Sequence, residues 1–210
     1  ASNLVTGDVI DFIHILGSVL DLGVPSDSTV SLAKLTATGT KDATTFLRGD
    51  NTFASAQGAY ESQLLHVRDE KTASTNAGTA TGGQFTKRTL NTVKTNEISG
   101  ASLSSDQITL PAGTYYAQAS APALRQGQDK IFLYNNTDSS NLLIGQNHFN
   151  GSSGTLTVPA FLCGRFTLSA EKDLILRHYV QSGKLTDGFG QCDVSLITEV
   201  FADVQIWKVG

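Results

Sequence analysis

The chain has 210 residues, 40% of them hydrophobic, enough for one large domain or for a smaller domain with an extended segment. Only 16% are charged, against about 25% in ordinary soluble domains, and the net charge is −4. That balance excludes a phosphate-backbone binder, since Lys87-Arg88 with the scattered Arg165, Lys172 and Arg177 is all there is of a basic patch. No run of about 18 apolar residues is present to cross a membrane. Polarity is carried instead by Ser, Thr, Asn, Gln and Gly, residues that suit strands and turns.

Residues 1–58 are short apolar bursts between polar and Gly-rich steps. Val9–Leu22 is apolar but carries Asp11, His14 and Asp21, and without a basic start or a small-residue cleavage site it does not read as a signal peptide. Its β-branched core fits a strand or a short helix, and periodicity does not choose between them. A turn at Gly23–Val30 leads to Ser31-Leu32-Ala33-Lys34-Leu35, and Thr36–Ala54 is rich in Thr, Gly and Ala. One chain has too little apolar surface here to bury, whereas three copies around an axis bury it. Ile10, Phe12, Ile13, Ile15, Val19 and Leu20 are the candidate trimer-interface positions of such an extended, intertwined stalk. The chain contains no Met, which fits either a removed initiator or a fragment of a longer protein.

Residues 59–210 read as successive strands. Ser62–Asp69 alternates around Leu65 and Val67, and a loose loop at Lys71–Gly83 precedes a strand over Phe85–Ile98. Gln107–Leu110 runs into the turn Pro111-Ala112-Gly113, followed by Thr114–Leu124, Lys130–Asn135 and Asn141–Phe149. The turn Asn135–Ser140 separates the last two. Thr155–Ala170, Asp173–Val180 (with Leu174, Leu176, His178 and Val180 on one face) and Val194–Val209 complete the series. Roughly eight to ten strands without helical periodicity predict an all-β sandwich of the jelly-roll kind. Cys163 and Cys192 sit among strand residues and read as buried thiols; a disulfide between them requires neighbouring strands, and no CxxC or HxxxH spacing marks a metal site.

Two stretches carry a family resemblance. Gly39–Phe53, containing Thr45-Phe46-Leu47-Arg48-Gly49-Asp50-Asn51-Thr52-Phe53, resembles the segment ahead of the head domain in many phage tail proteins, with Phe53 where Trp is common. Upstream, Asp27–Leu35 is similar to fibre-shaft repeats. Leu110–Ala123, with Lys130–Tyr134, Gly164-Arg165-Phe166, Gly188-Phe189-Gly190 and Glu199–Trp207, is similar to the C-terminal domains of phage tail-fibre and tail-spike receptor-binding proteins. Those in turn resemble the trimeric jelly rolls of the tumour-necrosis-factor and complement-globular-head type. The resemblance implies a homotrimer in a virion: a stalk and virion-proximal connector at 1–58 that meets other virion or tail proteins, and a head at 59–210 that attaches to a host-surface glycan or protein. The competing reading is a structural virion protein, a head decoration or a trimerising plug, that binds no receptor.

Arg48-Gly49-Asp50 spells an integrin-binding tripeptide but reads as a turn in the matched segment, and the sequons at Asn135 and Asn150 read as turn residues. His14, His66, His148 and His178 lack metal-ligand spacing, the carboxylates form no recognisable glycosidase pair, and no G-x-S-x-G elbow occurs, so neither a cofactor nor an enzyme is expected. Receptor contacts are expected on sandwich-tip loops. The candidates are Arg125, Gln126 and Gln128; Asn136 and Asp138; Asn147, His148, Phe149 and Asn150; and Lys184, Asp187 and Phe189.

Overall fold

The computed structural model describes residues 6, 7, 9, 36–43, 45–55, 63–151, 157–193 and 197–209. The six stalk positions from Ile10 to Leu20 expected at a trimer axis lie outside the described residues. The chain divides into two compact units, Ala1–Ala59 and Tyr60–Gly210.

In the first unit, β1 (Thr45–Leu47) and β2 (Phe53–Ser55) form an antiparallel hairpin closed by Leu47 opposite Phe53. Arg48-Gly49-Asp50 is its turn. Arg48 N–H donates to the Thr52 carbonyl at 2.8 Å, and Asn51 takes the left-handed conformation (φ 61°) that Asn tolerates. The Thr52 hydroxyl donates to Asp50 Oδ1 at 2.6 Å and holds that carboxyl below its ordinary value. Arg48 and Asp50 stand 3.6 Å apart in solvent. Gly39 (φ 92°) is required where its backbone passes the hairpin, because a Cβ there would collide with the Phe53 carbonyl.

In the second unit, twelve strands among the described residues make two sheets. The five-stranded sheet runs β12 (Thr157–Leu168), β8 (Gly113–Leu124), β14 (Glu199–Lys208), β3 (Gln63–Lys71), β5 (Thr92–Asn96). The seven-stranded sheet runs β10 (Ser140–Ile144), β9 (Gly127–Asn135), β13 (Lys172–Val180), β7 (Gln107–Leu110), β6 (Ser102–Ser104). In that sheet β11 (His148–Asn150) also pairs with β9, and β4 (Gln84–Lys87) with β13. From β7 to β14 the long strands keep crossing between sheets, only β9 and β10 being joined as a hairpin. The orders β12-β8-β14-β3 and β10-β9-β13-β7 are those of a jelly roll. Period-two alternation explains the facing layers: Leu65 and Val67, Tyr115 to Ala121, Val204 and Ile206 on one side meet Ile108, Leu110, Ile131, Leu133, Leu174 and Leu176 on the other in one core. A smaller cluster of Ala77, Ala80, Ala123, Val180, Phe189 and Phe201 closes one end.

Several expectations are corrected. Phe85–Ile98 is two strands in different sheets, because after Lys87 the Arg88 side chain turns inward, fully buried, to the carbonyls of Pro122, Phe189 and Phe201. Asn141–Phe149 is also two strands, divided at Gly145, whose absent Cβ would lie 2.7 Å from the Ile131 and Phe161 carbonyls. Cys163 is not buried; it points outward from the edge strand β12 and is exposed, Cys192 is half-buried, and both are free thiols.

Candidate functional site

Strand registers decide which loops share an end. Val180 lies opposite Asp129, and Thr157 opposite Leu124. The segments around Arg125, His148 and Lys184 therefore gather at one end. Asn136 and Asp138 lie at the other, beside the start of β13. There they are engaged in turn structure, Asp138 with Lys172 at 2.7 Å and Asn136 with Gln107 at 3.2 Å. The turn chemistry is visible in the sequence; its distance from the other loops follows only from β9 running the length of the sheet.

Among the remaining candidates, two are interior. Gln126 is buried and its amide donates to the carbonyls of Leu124 (2.7 Å) and Gly188 (3.2 Å). Phe189 is buried under the Arg88 guanidinium, 4.3 Å from its centroid, and stacks on His178. Both lie in loops, yet Phe189 fills the smaller core and Gln126 ties together the backbone beside it, which their sequence surroundings do not reveal. Arg125 is half-buried with φ 57°, and Lys184 and Asp187 form a local ion pair.

The structure brings together Gln128, Asn147, His148 and Phe149, which line an open cleft of about 480 Å³ on the outer face of the seven-stranded sheet. Asp129, Lys130, Phe132 and Tyr179 complete it. Asn150 joins through its backbone, opposite Gly127. The floor is fixed by a buried relay. A carboxylate only accepts, so His148 Nδ1 donates to Asp129 Oδ2 at 2.9 Å and His178 Nε2 to Oδ1 at 3.2 Å. Burial pulls the His178 imidazole down to about 4, against the pull of the Asp129 hydrogen bond, so it is neutral near pH 7. Its Nδ1 is buried and, among the described residues, has no hydrogen-bond partner. This arrangement ties β11 to β9 and β13 and presents Phe149, 69% exposed, beside the cleft.

The cleft wall is built from outward positions of β9 and β13. Lys130 lies opposite Tyr179 and Arg177 opposite Phe132, with Phe85 of β4 opposite Tyr179. The Phe85 ring is 5.3 Å from both Phe132 and Tyr179. Asp129 is the single carboxylate among the described lining residues, and both its oxygens are taken by imidazoles. The cleft thus offers rings, amides and a cation, the equipment of binding.

A second groove, about 420 Å³, lies beside the outer face of the five-stranded sheet between Phe161, Cys163, Gln118, Gln205 and Ile144. His66 and Arg68 converge on Asp203 at 3.0 and 2.6 Å nearby. Burial works to raise the Asp203 carboxyl, but these two hydrogen bonds outweigh it and hold it below the ordinary value. Tyr116 and Trp207 pair on the same face at 6.2 Å.

No protein-family model matches the chain, and no curated protein matches it in sequence. Among solved structures it is similar to the globular domain of zebrafish complement 1qA protein, at 15% identity over 71% of this chain and 98% of that chain, with a TM-score of 0.46. It is also similar to murine APRIL at pH 5.0, at 8% identity over 70% of this chain and 99% of that one, with a TM-score of 0.45.

Proposed function

We propose that this chain is the receptor-binding part of a viral tail fibre or spike, an adhesion protein and not an enzyme, whose homotrimeric head attaches to a host-surface glycan. The observation that carries the reading is the open cleft of the seven-stranded sheet. Exposed Phe149, with Phe132 and Tyr179, provides ring faces for the C–H faces of a sugar, and Gln128 and Asn147 provide amides for its hydroxyls. With its one carboxylate held by two imidazoles, the cleft carries, among the described lining residues, no pair of carboxylates of the kind that cuts a glycosidic bond.

Self-association is supported by apolar side chains left uncovered within one chain. Phe46 and Leu47 on the hairpin are 61% and 50% exposed, and Phe161, 55% exposed, stands on the five-stranded sheet whose outer face also carries Tyr116 and Trp207. Similarity of Gly39–Phe53 to tail-protein segments supports a virion setting, with residues 1–58 as the connector to other virion proteins. Shallow clefts bind weakly one at a time. Three on a head raise attachment through effective concentration, by factors on the order of 100 or more.

The test pairs light scattering with a glycan array on the full chain. A mass about three times 22.2 kDa and binding to a defined set of glycans are expected. A monodisperse monomer removes the trimer, and a trimer that binds no glycan and no host cell makes the chain a structural virion protein.

A further inference from the structure

Resting on that attachment reading, we infer that the sugar taken by the outer-face cleft is anionic, carrying a carboxylate or a phosphate. The outer face of β9 and β13 alternates cations with rings. Lys130 stands opposite Tyr179, and Arg177 stands opposite Phe132 while its guanidinium sits over Tyr134 at 3.7 Å from the ring centroid. Phe85, 54% exposed, joins Phe132 and Tyr179 in one uncovered aromatic patch.

The charges on this patch are unbalanced. Among the described residues, neither Lys130 nor Arg177 forms an ion pair, although the whole chain is net acidic. Lys87, directly opposite Arg177, shows what a compensated cation looks like here: it donates to the Ser105 carbonyl at 2.7 Å and lies 3.7 Å from Asp106. Asp129 lines the cleft but is turned inward, both oxygens engaged by His148 and His178. An oxyanion entering the cleft therefore meets an ammonium without a competing carboxylate in front of it. The aromatic wall lowers the local dielectric and strengthens that pairing relative to open solvent. A neutral sugar would use the rings and amides and leave the Lys130 ammonium idle. A sugar with an acidic substituent uses rings, amides and cation together, with its ring on Phe149 or Phe132 and its anion toward Lys130, Arg177 adding positive charge from the neighbouring strand position.

The experiment is equilibrium binding of the full chain to three immobilised polysaccharides: one of uronic acids, one phosphorylated, and one uncharged. Wild type, Lys130→Gln, Arg177→Gln and Phe149→Ala are compared, with melting temperatures as the check on folding. One of the two anionic polymers should bind about tenfold tighter than the uncharged one, and which of them does so identifies carboxylate or phosphate. Lys130→Gln should erase that preference, bringing the anionic polymer down to the affinity of the uncharged one; Phe149→Ala should weaken all three. Equal binding of charged and uncharged polymers, or a preference that survives both cation substitutions, overturns the anionic assignment and leaves attachment standing. Should Arg177→Gln lower the melting temperature markedly, Lys130→Gln decides alone. If wild type binds none of the three polymers, the inference falls, and a glycan array that is also blank takes the attachment reading with it.

Discussion

Acidification should unlatch the floor of the cleft through His178. The imidazole is buried between Asp129, His148, Arg88 and the Phe189 ring, and it gains its proton only near pH 4, against 6.5 in the unfolded chain. Between those values the unfolded chain binds more protons, so stability falls as pH falls through the window. Above about 6.5 both states hold the neutral ring and its contribution is intact. The geometry explains the direction. Nε2–H is already committed to Asp129, and a second proton would sit on Nδ1, which is buried without an acceptor among the described residues. A separation of roughly two and a half pKa units corresponds to about 3 kcal/mol, nearly all of it lost by pH 4. The assay is urea unfolding of wild type and His178→Gln at pH 7 and at about pH 4.5. Gln keeps a donor for Asp129 and does not titrate. Carboxylates common to both proteins cancel in the comparison, and wild type should lose about 2 to 3 kcal/mol more than the variant. Equal losses in the two proteins would refute the assignment of the acid sensitivity to His178.

Three further outcomes follow from side chains elsewhere. Arg88→Met should cost about 3 to 5 kcal/mol in denaturant unfolding, because it strands the buried carbonyls of Pro122, Phe189 and Phe201; a cost under about 1 kcal/mol would mean they find other donors. Gly39→Ala should abolish amide-exchange protection at Phe53, whose N–H donates to the Thr38 carbonyl at 2.7 Å, without lowering the melting of the sandwich. His148→Ala should release β11 from Asp129 and weaken glycan binding several-fold with a small change in melting temperature, since the side chain lies at a sheet edge; unchanged binding would remove β11 from the site.

The sandwich was legible where alternation is clean. Gln107–Leu110 places Ile108 and Leu110 inward, and Leu174, Leu176, His178 and Val180 share one buried face, as the period of two requires. It was illegible where a polar residue serves the interior. Arg88 follows Lys87 and reads as a second surface cation, yet it is among the largest fully buried side chains of the described residues. Its partners are backbone carbonyls 34, 101 and 113 residues away, and carbonyls leave no mark in a sequence. Gln126 and Phe189 fail as exposed candidates for the same reason: a short end-cluster core is made by loops that return to one place, and loop composition reports turn chemistry and not destination.

The candidate site divides along the same line. His148 and Phe149 stand out in sequence as an imidazole and a ring amid Asn, Gln and Gly, and the cleft contains both. Lys130, Phe132, Arg177 and Tyr179 do not stand out in the sequence because they belong to strands, which are expected to hold the core. Yet the alternation that sends Ile131, Leu133, Leu176 and His178 inward obliges their neighbours to face out. Outward rings on a strand are costly to leave in water unless something covers them, so an outward row of Phe132, Tyr134, Tyr179 and Phe85 interleaved with cations is itself a signal. What the sequence withholds is that β9 and β13 are neighbours in register. Without that pairing the four residues are two unrelated short rows. With it Lys130, Phe132 and Tyr179 form one wall of a cleft, and Arg177 stands beside Phe132 on the same outer face.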